Sequence, residues 1–151
     1  MQLPPDAPLS DHLAVLFGQM SRAVSRDRGG PLTRAEYAVV SLLDHAGPRR
    51  VCDLAENDGP DVSTVSRRVA ALTERDLLER TPDPHDGRAH RVVLTDRGRE
   101  VLHQERRRRA ELVDEALAHW SDTDRDHLTQ LIVRLSASLG ERAATIERTH
   151  A

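Results

Sequence analysis

The chain has 151 residues and a formal net charge of −3; 38% of it is hydrophobic and 31% charged, with one Phe, one Tyr and one Trp. That length holds one domain with helical extensions but not two independent cores, and so thin an apolar content fits long helices with charged outer faces, or a core completed by dimerisation. No run approaches the roughly 20 apolar residues of a membrane span, MQLPPDAPLSDH lacks the order of a signal peptide, and a lone Cys52 excludes an intramolecular disulfide, so a cytoplasmic protein without a membrane partner is expected.

Leu9, Leu13, Leu16, Met20 and Val24 recur at helical spacing and predict a first helix over about 9–27, broken by Asp27-Arg28-Gly29-Gly30-Pro31. Thr33 with Glu36 makes a capping box for a helix that ends at Gly47-Pro48. A short third helix fits Cys52–Asn57, and Asp58-Gly59-Pro60 is a turn. Asp61 then N-caps a fourth helix to Arg75, with Val65, Val69 and Leu72 inward.

The period changes at Leu77–Arg80 and Arg91–Thr95, two extended segments around Thr81–His90, which predicts a hairpin with a long polar tip. A long helix follows from Asp96 to His119. Its segment HQERRRR, residues 103–109, is polar on every side, which predicts a stretch bridging two parts of the molecule rather than packing in a core. Ser121 with Asp124 caps a last helix whose seam is Leu128, Leu131, Ile132, Leu135 and Leu139. The fold class is therefore mainly α with a small β-hairpin wing: a winged helix-turn-helix plus a helical dimerisation region. Residues 1–30 and 110–151 are expected to form the dimerisation region and 31–109 the DNA-binding domain, intertwined in one unit. The stripes of the first, fifth and sixth helices have too little partner surface within one chain.

All basic residues are Arg, and residues 49–109 hold 14 of them against 12 acids, so a polyanion belongs in the middle of the chain. In a helix-turn-helix the second helix enters the major groove by its N-terminal residues. Here that helix carries Ser63, Thr64, Ser66 and Arg67 opposite its apolar face, short hydroxyls and a bidentate donor suited to phosphates and base edges. At the hairpin end, Asp86-Gly87-Arg88 puts a guanidinium where it suits the narrow, negative minor groove, beside a carboxylate able to hold its rotamer, with Arg91 following on the return strand.

The segment LLERTPDPHDGRAHRVVLTDRGREV, starting at Leu77, resembles the wing of the MarR family of bacterial transcription regulators, with an Asp-x-Arg at Asp86 and Arg88 and a Leu-Thr-x-x-Gly at Leu94–Gly98. LTRAEYAVVSLL and VSTVSRRVAALTERDLLER resemble the family's second and fourth helices. The resemblance spans roughly Leu9 to Leu139. It implies major-groove contacts by Ser63, Thr64, Ser66 and Arg67, minor-groove insertion of Arg88 oriented by Asp86, and a homodimer through the first, fifth and sixth helices. It departs at Asp76, where the family has Gly, and at Arg68, where an apolar residue is common.

The resemblance further implies a small amphipathic, often phenolic, effector in a crevice; Phe17, Met20, Tyr37 and His45 are the candidates here. The function expected is a dimeric repressor of a pseudo-palindromic operator on double-stranded DNA, released by such an effector. Two alternatives stand beside it: a redox-responsive regulator acting through Cys52, which opens the third helix where a thiol can be activated, and a winged-helix protein-interaction module that binds no DNA. The eight His residues lack ligand spacing, so no metal and no cofactor is expected. Neither a phosphate loop nor a nucleophile elbow is present, and nothing asks for an enzyme.

Overall fold

The structure, a computed structural model, describes residues 3–26, 29–58 and 61–150. The expected breaks at Asp27–Pro31 and Asp58–Pro60 lie partly outside the described residues. Six helices and one hairpin follow in the expected order: α1 Leu9–Arg26, α2 Arg34–Ala46, α3 Val51–Asp58, α4 Val62–Glu74, β1 Leu78–Asp83, β2 Asp86–Leu94, α5 Asp96–Ala116 and α6 Asp122–His150. The chain divides into two compact units, Met1–Leu112 and Val113–Ala151.

The first unit holds the core. Val39, Val40 and Leu43 of α2, Leu54 of α3, Val65, Val69 and Leu72 of α4, Leu78 of β1, Val92 and Leu94 of β2 and Leu102 of α5 form one buried cluster. Each such side chain contributes about 1.5–3 kcal/mol by leaving water. The capping box on α2 is complete: the Glu36 amide donates to Thr33 Oγ1 at 3.3 Å and the Thr33 amide to Glu36 Oε2 at 2.7 Å. Arg75, just past α4, donates to Glu36 Oε1 at 2.7 Å and so ties the two helices together.

The hairpin pairs antiparallel from Leu78↔Leu94 to Pro82↔His90, then shifts register to Asp83↔Asp86. Its loop is therefore only Pro84-His85, which corrects the expected long polar tip. The strands run further because the Asp83 carboxylate is buried and closes the turn by accepting the His85 amide at 2.9 Å. Arg49 adds a minimal third strand, its amide donating to Val92 O and its carbonyl accepting from Val92 N.

The junctions around the hairpin explain two motif positions. Asp76 has φ 59, the left-handed region that Asp tolerates better than most residues. Thr95 Oγ1 donates to the Asp76 carbonyl at 2.7 Å and accepts the Gly98 amide at 2.9 Å. A Cβ on Gly98 would overlap the Leu77 carbonyl oxygen, so α5 starts against the β1 entry only because that residue is Gly.

The HQERRRR segment departs from expectation. Glu105 is fully buried beside Leu102, and it accepts from Arg108 at 2.8 Å and Arg109 at 2.7 Å. A helix polar on every side packs here because its own guanidiniums, three and four residues on, neutralise the buried acid. Burial alone would raise the Glu105 carboxyl; the bonds from Arg108 and Arg109 outweigh it and hold the group below the usual carboxylate range. Gly30 leaves room for this cluster, since a Cβ there would lie 2.6 Å from Glu105 Oε2.

In the second unit α5 ends at Ala116, earlier than the expected His119, and Trp120 follows in the connecting turn. The Asp124 amide donates to Ser121 Oγ at 3.2 Å, the expected cap of α6. The α6 seam, Leu131, Ile132, Leu135 and Leu139, is exposed, as is Trp120.

Candidate nucleic-acid interface

Helix α4 owes its position to one face and its chemistry to the other. Val65, Val69 and Leu72 have no exposed surface, which fixes the helix rotation. Ser63 and Arg67 are then exposed while Thr64 and Ser66 are half-buried at the edge. Asp61, the N-cap, organises this end: its carboxylate accepts the Thr64 amide at 2.9 Å and the hydroxyls of Ser63 and Thr64. The hydroxyl of Ser63 foremost, then the Thr64 amide, holds the Asp61 carboxyl below the usual carboxylate range. Arg67 Nη2 reaches back to Ser63 Oγ at 3.5 Å and Thr64 Oγ1 at 3.4 Å. Ser63, Thr64 and Arg67 thus form one connected group, and Asp61 is a member that the residue pattern revealed only as a cap.

In the wing, Arg88 is exposed and its backbone amide donates to Asp86 Oδ1 at 3.1 Å. The expectation that Asp86 holds the Arg88 guanidinium needs correction: the other Asp86 oxygen lies 3.7 Å from Arg50 Nη2, so Asp86 shapes the backbone under Arg88 instead. Arg91 turns inward to Asp83 at 2.9 Å, where Arg50 also bonds, at 2.8 Å. Arg50 foremost, with the His85 amide, holds the Asp83 carboxyl well below the usual carboxylate range. Spacing alone gave no sign of this triad, because Arg50 lies outside the hairpin.

A three-helix core with α4 presenting a polar, Arg-bearing face beside a two-stranded wing is the arrangement that a family model for the MarR family matches over residues 32–90. An uncharacterised HTH-type transcriptional regulator of Bacillus subtilis, YxaD, is 36% identical over 112 residues, covering 74% of this chain and 78% of that protein. The chain belongs to the MarR family. Membership makes it a transcriptional regulator of the helix-turn-helix type and not an enzyme. Among solved structures, the transcriptional regulator Tm0710 of Thermotoga maritima is 26% identical with a TM-score of 0.70, covering 91% of this chain and 97% of that one. BpsR of Bordetella bronchiseptica, whose DNA binding is regulated by 6-hydroxynicotinic acid, shares the fold at 20% identity and TM-score 0.63, covering 90% of this chain and 98% of that one.

The remaining candidates of this MarR-family chain scatter over the first unit. Phe17 and Met20 on α1 and His45 at the end of α2 are exposed. Tyr37 is half-buried against the core, and Arg109 lies over its ring at 3.5 Å from the centroid, a cation–π contact. Arg106 pairs with Asp44 at 2.9 Å. Cys52 is exposed and its thiol donates to Asp53 Oδ1 at 3.4 Å, so its neighbour is an acid rather than the cation that activates a sulfur. Among the described residues no group of three or more His, Cys, Asp or Glu is placed to hold a metal, and no helix is long and apolar enough to cross a membrane.

Proposed function

We propose that this MarR-family chain is a homodimeric repressor, working in the cytoplasm, that binds a pseudo-palindromic operator and is released by a small amphipathic effector. One observation carries the reading. The α4 face opposite the fully buried Val65, Val69 and Leu72 bears Ser63, Thr64 and Arg67 as one hydrogen-bonded group. Ser66 lies at its edge, and the wing places Arg88, on a backbone shaped by Asp86, beside the same domain. Two such helices related by a two-fold axis enter major grooves roughly 34 Å apart while each Arg88 enters a minor groove.

The dimer is supported by what the single chain leaves uncovered: Leu9, Leu16, Phe17 and Met20 on α1, and Leu131, Ile132, Leu135 and Leu139 on α6. Residues 1–30 and 110–151 then serve as the dimerisation region and 31–109 as the DNA-binding domain. The effector is assigned to Phe17, Met20, Tyr37 and His45; that a small molecule controls DNA binding is supported by BpsR, which shares the fold and is regulated by 6-hydroxynicotinic acid. A coupling of about 1–3 kcal/mol lowers operator affinity roughly 5–150-fold.

The test is selection of bound fragments from the source genome by the purified dimer, followed by anisotropy at two salt concentrations. Enrichment of one inverted repeat with a steep salt slope is expected. No enrichment at low salt overturns the reading in favour of a protein-interaction module. Loss of DNA binding on peroxide treatment that Cys52→Ser abolishes assigns the control to Cys52 instead.

A further inference from the structure

Asp83 is the last residue of β1 and its carboxylate has no exposed surface. One oxygen, Oδ2, accepts the Nε–H of Arg50 at 2.8 Å and of Arg91 at 2.9 Å; the other accepts the His85 amide. The two arginines come from different places, one from the segment before α3 and one from β2. Both bond Asp83 through Nε, and the exposed fractions of their side chains are 37% and 31%. The acid that fixes both guanidiniums is thus turned inward, while about a third of each arginine side chain stays open to solvent. Arg91 has no other ion-pair partner among the described residues; Arg50 also meets Asp86 at 3.7 Å and feels the Asp53 carboxylate, which accepts its backbone amide at 3.1 Å. A guanidinium fixed by Nε keeps donors in a planar fork that matches phosphodiester oxygens.

We propose that Arg50 and Arg91 form a phosphate-gripping pair at the root of the wing, and that Asp83 is the positioning residue that holds both guanidiniums for it. This rests on the DNA-binding reading above. Arg88 at the tip selects a groove, whereas the pair grips the backbone without regard to sequence. Asp83 thereby acts against its own charge. Placed near a polyanion, an acid by simple Coulomb repulsion weakens binding; held beneath two arginines, it strengthens binding by keeping them in place.

The experiment measures anisotropy of the full chain on a random-sequence duplex of about three helical turns, from about 50 to 200 mM salt. Arg50→Ala and Arg91→Ala are each expected to flatten the slope of log affinity against log salt by about 1. Asp83→Asn is expected to weaken binding about 10-fold and to flatten the slope by between about 1 and 2, although it removes a negative charge. Equal or tighter binding by a folded Asp83→Asn overturns the positioning role. Should that variant lose its cooperative melting, the two arginine variants decide, and unchanged slopes in both overturn the pair. If Arg88→Ala weakens binding while the Arg50 and Arg91 variants do not, the pair alone is wrong. If the unaltered protein binds no duplex at low salt, the DNA-binding reading fails and this proposal falls with it.

Discussion

Asp83 and Glu105 are both carboxylates with no exposed surface, and each holds two arginines. They differ in where those arginines come from. Glu105 takes Arg108 and Arg109 from its own helix, so its cluster forms whenever α5 is helical, and packing then covers it. Asp83 takes Arg91 from the facing strand of its own hairpin but Arg50 from the segment before α3, so the full centre forms only when the hairpin meets that segment. The first centre is a local motif that tertiary packing buries; the second is a joint that tertiary packing creates. Breaking the first should cost stability, and breaking the second should cost the placement of the wing.

Glu105→Ala is the most direct way to break this contrast. Removing the acid takes from two half-buried guanidiniums the carboxylate that both bond, and the expected loss is about 3 kcal/mol of unfolding free energy, measured by urea denaturation. Affinity for DNA per folded molecule should stay as it was. A folded variant with weakened DNA binding would show that the α5 cluster also controls the reading face. Gly30→Ala approaches the same cluster from outside: a Cβ 2.6 Å from Glu105 Oε2 is expected to cost about 2 kcal/mol, and no change in the denaturation midpoint would mean that the cluster yields easily.

Asp83→Ala should cost less globally than Glu105→Ala, because Arg50 and Arg91 are already a third open to water. Its loss should concentrate in the wing, seen as faster amide exchange over β1 and β2 with α2 and α4 unchanged. Uniformly faster exchange would place Asp83 in the global core instead. As the smallest effect, Asp96→Ala removes an exposed pair with Arg99 at 3.2 Å and is expected to change stability by no more than about 0.5 kcal/mol.

Acid treats the two centres alike. Both carboxyls lie below their ordinary values in the fold, so their contribution is fully present above about pH 4, the range in which an unfolded carboxyl ionises. It is lost as pH falls through the folded values. Melting temperature should drop on acidification below about pH 4, and Glu105→Gln should shrink that drop. An unchanged acid response in that variant would show that Glu105 is not ionised in the folded protein.

Local signals fixed most of the architecture. Thr33 with Glu36 and Ser121 with Asp124 announce helix starts by side chains that bond backbone amides within one turn, and Val65, Val69 and Leu72 announce the buried face of α4 by spacing alone. The same spacing left Ser63, Thr64 and Arg67 on the opposite side, where the structure finds them joined. The wing tip misled because Thr81–His90 is rich in turn residues, a pattern that could not show Asp83 turned inward. HQERRRR misled because a polar residue normally faces water, and its exception requires knowing that two arginines bend back over the acid.

From the sequence alone came every contribution carried within a few residues: helix order, caps, the apolar stripe of α4 and the Asp-x-Arg of the wing. Only the tertiary structure decided which charges are buried, that Arg50 joins Arg91 on Asp83, and that Gly98 must lack a side chain where α5 meets Leu77. The division has a physical reason. Periodicity and capping act over one helical turn. Whether a charge is buried is set instead by packing between distant segments, and a partner such as Arg50, 33 residues from Asp83, is one that no local pattern encodes.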